Sequence, residues 1–222
     1  MELLLTKENA FIALTTLSVI VLISYGIGYF KGKKRKKREE NIGEAAVRKL
    51  LTNFCRKTTA HLLNDITLKY GDGTTQIDHI LLTQNGILVI ETKHYSGWLF
   101  VNQMQRKWTQ VIYKSKTRFQ NPILQNKKHV SAVRSLLDFI PEEQVKGLVV
   151  FTGDAEFKTE IPDNVLKLQQ LEAYADSIRL GSIAENMLQY CIGCLEYKRL
   201  EITGRTDIEH QKYLEEKFGT VD

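Results

Sequence analysis

Apolar positions recur along the chain in three different patterns, and each marks a different kind of element. From Ala10 to Phe30 the run AFIALTTLSVIVLISYGIGYF is apolar all round, with no charge over twenty-one residues. At 1.5 Å per residue a helix of that length spans about 31 Å, close to the hydrocarbon thickness of a bilayer. Residues 39–57 change to a 3.6-residue period. Ile42, Ala46, Val47, Leu50, Leu51 and Phe54 fall on one broad stripe, which predicts an amphipathic helix. Beyond residue 60 the runs shorten and alternate, as strands do. Ala60–Tyr70 precedes a Gly71-Asp72-Gly73 turn, and Thr75–Thr83 and Gly86–His94 follow. Short strands are expected at 98–101 and 108–113.

Asn121-Pro122 then opens a second amphipathic helix running to about Phe139, with Pro in its first turn. Residues 146–152 (KGLVVFT) read as a buried strand and 164–168 as a last short one. Two or three helices close the chain, at 169–180, 182–195 and 207–218. A helix, several strands, a helix, a strand and terminal helices define an α/β domain with a mixed sheet. The expected organisation is an anchor over 1–30, a basic juxtamembrane segment over 31–40, a domain over 41–155, and a stretch over 156–222 that completes it.

Charge sharpens this division. Residues 31–38 carry seven basic residues and no acid, directly after the apolar run. That arrangement reads as a stop-transfer signal. Basic residues stay on the cytoplasmic side, so a single-pass anchor in the cell membrane would leave the rest of the chain in the cytoplasm. A cleaved signal peptide fits less well, because no small-residue cleavage site precedes the basic run. Residues 92–137 hold nine cations and no Asp or Glu, whereas 138–222 carry a net charge of −8. The acidic C-terminal helices are therefore a candidate docking surface for a protein partner. The composition is that of an ordinary globular protein, neither disordered nor disulfide-rich. Cys191 and Cys194 form a lone CxxC inside a helical pattern, with no second ligand pair for zinc.

The chemistry concentrates at one hairpin. Gln84-Asn85-Gly86 joins two apolar strands, and Asn-Gly is a strong hairpin signal. With Asn85-Gly86 as the loop, Asp78 pairs with Lys93 and Ile80 with Glu91. Opposed residues share a face, as do residues two apart, so Asp78, Glu91 and Lys93 share one. A loop longer by two residues keeps that parity. Ile80, Leu82, Ile87 and Val89 complete this face, and Ile77, Leu81, Leu88 and Ile90 form the opposite one. Carboxylates and a lysine at the end of buried strands need partners. A cross-strand ion pair would satisfy Lys93 and one acid but leave the other acid over. A divalent cation held by both carboxylates, Mg2+ or Mn2+, accounts for all three residues. Lys93 would then orient or deprotonate the attacking water. Glu44 lies at the edge of the first helix's stripe, where a carboxylate near a helix N-terminus also needs no further reason.

The spacing from Asp78 to Glu91-Thr92-Lys93 resembles the PD-(D/E)xK nucleases. The wider pattern is similar to their nuclease-related domain, the NERD family. The matching residues are Gly43-Glu44, Gln76-Ile77-Asp78-His79, Gly86 through Lys93, Tyr95-Ser96-Gly97, Trp108, Phe119-Gln120-Asn121-Pro122, and Gln125 followed by His129. Ile77 stands where the superfamily's name has Pro, a change that superfamily tolerates. The resemblance implies a restriction-endonuclease-like fold, a mixed sheet flanked by helices. It implies metal ligation by Asp78, Glu91 and the Thr92 carbonyl, a catalytic Lys93, an accessory Glu44, and Gln125 near the site. It also implies a nucleic-acid substrate, DNA ahead of RNA. Arg106, Lys107, Lys114, Lys116, Arg118, Lys127 and Lys128 of the acid-free block are expected to meet phosphates, with Gln76 and Gln125 beside them. Aromatic residues are interleaved with these cations, and either base stacking or ordinary core packing explains them.

Overall fold

The computed structural model describes residues 42–199. The anchor, the basic segment and the helix expected at 207–218 lie outside the described residues. Among the described residues no helix is long and apolar enough to cross a membrane.

The first helix, α1, covers 42–57. Three antiparallel strands follow: β1 (His61–Tyr70), β2 (Gly73–Thr83) and β3 (Gly86–Lys93). Next come β4 (Trp98–Phe100), β5 (Lys107–Ile112) and β6 (Ser115–Gln120), then helix α2 (Pro122–Leu136). A single 3-10 turn leads into β7 (Val145–Phe151), followed by β8 (Glu156–Phe157), β9 (Val165–Lys167), α3 (Leu168–Ser177) and α4 (Glu185–Lys198). The fold is α/β, as expected, but the strands form two mixed sheets and not one. The first runs β1-β2-β3-β7-β9, antiparallel up to β3 and parallel from there. The second runs β6-β5-β4-β8.

Helices cover both faces of the five-stranded sheet. Val130 and Val133 of α2 and Leu188, Cys191 and Leu195 of α4 pack on one face, against Ile80, Leu82, Ile87 and Val89. Val47, Leu51 and Phe54 of α1, with Leu171 and Ala175 of α3, pack on the other, against Leu81, Leu88 and Ile90. Double coverage explains why β3 is apolar at nearly every position. Cys191 is buried in this core and Cys194 packs against it, both as free thiols. Gly147 lets α2 lie close on β7, since a Cβ there would sit 2.9 Å from Val130 Cγ2. A third cluster joins Leu99, Trp108 and Ile123 to Val149 and Phe151, and so ties the second sheet to the first.

Two details of the hairpin differ from expectation. The turn is Gln84-Asn85, one residue earlier, and Thr83 pairs with Gly86. Gly86 itself opens β3, at φ 140°. The register moves by two, so Ile80 pairs with Val89 in place of Glu91. Asp78 correspondingly comes opposite Glu91, one step past the last ladder pair, and not opposite Lys93. Second, Ile77 packs in the same cluster as Ile80 and Leu82, not on the opposite face. Three residues cannot span one face at a period of two, so β2 switches parity across Asp78-His79. β1 switches with it, because Leu63 and Ile66 share that cluster and Asp65 between them adopts φ 52°. The β1–β2 ladder skips Asp65 and Asp78 together, which leaves its register unchanged.

Candidate active site

The parity switch places Asp78 at the frayed end of the β2–β3 ladder, where its side chain replaces a backbone partner. Asp78 Oδ2 accepts the Thr92 N–H at 2.7 Å. In an extended strand the C=O of a residue points to the same side as its N–H. The Thr92 carbonyl therefore faces β2 as well, while the Lys93 carbonyl turns to β7 and accepts the Thr152 N–H at 3.0 Å. Burial pushes the Asp78 carboxyl well above the usual carboxylate range, and the negative charges of Glu91 and Glu44 push it further. The Thr92 N–H and the Lys93 ammonium only partly offset this.

Glu91 is 2% exposed and carries two partners. Oε1 lies 2.6 Å from Lys93 Nζ, and Oε2 lies 3.1 Å from His129 Nε2. Burial alone would raise its pKa, but Lys93 and His129 outweigh it and hold the carboxyl low. Burial likewise acts to lower Lys93, and the Glu91 carboxylate overrides it and raises the ammonium's pKa. Lys93 is thus a held cation in this arrangement. The ion pair joins residues two apart on one strand, not residues on two strands.

In the sequence His129 stands only as part of the motif pattern, with no role of its own. It is buried on α2, and its Nδ1 lies 2.6 Å from Thr75 Oγ1. A carboxylate only accepts, so Nε2 carries the proton toward Glu91, and the Thr75 hydroxyl can donate to Nδ1. Asn126, one turn earlier, donates from Nδ2 to the Val89 and Leu148 carbonyls at 2.9 and 3.0 Å, which seats α2 across β3 and β7. Gln125 is half-buried one turn ahead of His129, on the same helix face. The only signal for His129 in the sequence was its place four residues after Gln125.

Glu44 enters through α1. The helix approaches the ends of β3 and β7 because position 43 is Gly, where a Cβ would stand 2.6 Å from Thr152 Oγ1 and 3.0 Å from His94 Cβ. His79, beside Asp78, is fully buried and bonds Asn64 Oδ1 at 2.7 Å. Burial and the nearby Arg48 cation lower its pKa to about 4, so it is neutral at physiological pH.

The expected phosphate-contact set does not gather in one place. Arg106, Lys107, Arg118 and Lys128 line one groove of about 790 Å3. Lys114 occupies the tip of the β5–β6 hairpin, with Lys116 just inside β6. Lys127 lines a different hollow with Arg134 and Lys146, and Gln76 is exposed along β2, paired with Thr67 of β1.

A half-buried Asp78, a buried Glu91, a third acid nearby and a backbone carbonyl turned their way form a set of hard oxygen donors, the kind that Mg2+ or Mn2+ takes. Burial and the Glu91 and Glu44 charges raise the Asp78 carboxyl more than the Thr92 N–H and Lys93 offset, and a cation at this point would relieve the remainder. Among the described residues, however, no group of three or more His, Cys, Asp or Glu side chains already closes around a single point.

The family model of NERD, the nuclease-related domain, matches residues 39–152. An uncharacterized protein of Bacillus anthracis is 41% identical over 191 residues, which cover 80% of this chain and 84% of that relative. No solved structure matches the chain. The chain belongs to the nuclease-related domain family.

Proposed function

We propose that this chain is a membrane-anchored, metal-dependent phosphodiesterase that cuts DNA, with RNA as the second choice, on the cytoplasmic side. The observation that carries the reading is the half-buried Asp78 beside the buried Glu91, with Lys93 held 2.6 Å from Glu91. Asp78, Glu91 and the Thr92 carbonyl would hold Mg2+ or Mn2+, with Glu44 in support. A bound ion of this kind supplies Lewis-acid stabilisation of phosphate charge and a more acidic water. Lys93 adds fixed positive charge beside the carboxylates and orients a water by donating hydrogen bonds. Glu91 keeps Lys93 charged and in place, and His129 fixes the second oxygen of Glu91. The membership of the chain in a nuclease-related family supports a nucleic-acid substrate. The apolar run before the seven cations at 31–38 supports the anchor.

The test uses the full-length chain with labelled single- and double-stranded DNA and RNA. Cleavage should require Mg2+ or Mn2+ and fall by roughly 100-fold or more in Asp78→Asn and Lys93→Met. Asn at 78 can still accept the Thr92 N–H, so thermal unfolding should show an intact fold. Mn2+ binding without cleavage of any of these substrates would overturn the catalytic reading and leave a binding scaffold with this fold. Deleting residues 1–30 should move the chain from the membrane to the soluble fraction, and no change in partitioning would overturn the anchor.

A further inference from the structure

We propose that the outer face of the four-stranded sheet is a stacking platform for single-stranded nucleic acid, built on Trp98 and Phe100. This rests on the reading that the chain acts on nucleic acid, and names the form of it that the site receives. The pairing of β4, β5 and β6 decides which side chains share a face. Trp98 pairs with Val111, which pairs with Lys116, and Phe100 pairs with Thr109, which pairs with Arg118. Lys107 pairs with Gln120 on the same face. The first two rows therefore begin on an aromatic ring and end on a cation two strands away, roughly 10 Å across. The alternate positions Leu99, Trp108 and Phe119 point the other way, into the core with Phe151. Trp98 and Phe100 thus lie on the face turned away from that core, and they stay 51% and 39% exposed.

The cations continue off the sheet. The groove formed by Arg106, Lys107, Thr109, Arg118, Gln120 and Lys128 spans from this face to α2 and holds four positive charges and no acid. Lys128 is the neighbour of His129, so the groove's far wall is the helix whose next row reaches Glu91. The acid on this face is Glu156, which pairs with Trp98 across β4 and β8 and is bonded to Lys158. Lys158 Nζ in turn lies 4.7 Å from the centre of the Trp98 ring and adds a further cation there.

Exposed rings beside a basic groove suit unpaired bases with phosphates alongside, because stacking needs a base face that a duplex keeps covered. A lipid surface also attracts Trp and Lys. A concave groove with Thr and Gln between its cations follows a single strand better than a flat headgroup layer.

The test uses the full-length chain in neutral phosphatidylcholine vesicles, in EDTA so that binding is read without turnover, with a fluorescent twelve-nucleotide oligo(dT) as probe. Trp98→Ala and Phe100→Ala should each weaken binding roughly 10-fold, with little change for a duplex. Lys107→Ala and Arg118→Ala should each lower the slope of log affinity against log salt by about 0.7. Oligonucleotide should quench the emission of Trp98. Trp98→Phe should keep most of the affinity and lose that quench. Wild-type affinity in both alanine variants, or equal weakening for duplex, would overturn the platform. So would a blue shift of Trp98 on adding phosphatidylserine with no response to oligonucleotide. A chain that binds through Trp98 but never cuts sinks the catalytic reading alone. One that cuts yet binds normally without both rings sinks the platform alone.

Discussion

Replacing Glu91 by Gln, in metal-free buffer, isolates the contact on which the site depends. Glu91 is 2% exposed and Lys93 keeps 22% of its side chain open. Removing one partner of a buried ion pair costs about 3–5 kcal/mol, because the remaining charge is left without compensation. Lys93 can reach some water, and Asp78 remains as a weaker partner, so the cost falls at or just below the lower end, about 2–3 kcal/mol. The amide oxygen introduced by Glu91→Gln can still accept from His129, so the loss belongs to the Lys93 contact. Urea unfolding of the full-length chain should show a midpoint about 1 M lower at an unchanged slope. Lys93→Met alone should also destabilise, and the double variant Glu91→Gln/Lys93→Met should cost less than the two single changes added, with a coupling of about 2 kcal/mol. Additive single changes, or a Glu91→Gln cost under about 0.5 kcal/mol, would refute the idea that Glu91 holds the lysine.

Three further outcomes follow from neighbouring contacts. His79 has a folded pKa of about 4 against 6.5 unfolded, so the unfolded chain binds its proton first. The His79 contribution to stability should be complete above pH 6.5 and fall by about 3 kcal/mol as pH drops toward 4, read in EDTA as the difference between the chain and His79→Gln, because the raised Asp78 carboxyl titrates in the opposite sense. In His79→Gln that slope should flatten, and an unchanged slope would assign the acid sensitivity elsewhere. Gly43→Ala should cost about 1–3 kcal/mol through its clash with Thr152 Oγ1, and cleavage should weaken as Glu44 is displaced. Thr152→Ala in that background should recover part of the stability. Asn126→Leu should cost about 1–2 kcal/mol by calorimetric unfolding, since the two hydrogen bonds that seat α2 on the Val89 and Leu148 carbonyls are lost.

The hairpin, the two covered faces and the helix at Asn121-Pro122 were all readable because their causes are local. Asn121 Oδ1 caps α2 through the Ile123 N–H, and its Nδ2 gathers the carbonyls of Gln103 and Gln105. What escaped depended on distant residues. β6 presents mostly polar side chains to solvent with Phe119 turned inward, a pattern that does not announce a strand. β8 has two residues and exists because it runs beside β4. The face of Ile77 was misassigned because Asp65 and Asp78 break the alternation together, and neither strand shows this alone. Asp78, Glu91 and Lys93 could be brought together by counting along one hairpin. His129 could not, since it meets Glu91 only after α2 crosses β3, 38 residues later in sequence.

A divalent cation held by Asp78 and Glu91 beside Lys93 would be located by the anomalous scattering of Mn2+ in crystals of the chain grown with that metal. One peak is predicted within about 2.0–2.4 Å of oxygens from Asp78 and Glu91, with the Thr92 carbonyl as a third ligand. It should vanish in Asp78→Asn crystals. An ordered Mn2+ bound elsewhere, with Asp78 and Glu91 bare at millimolar metal, would rule out a metal site at this pair.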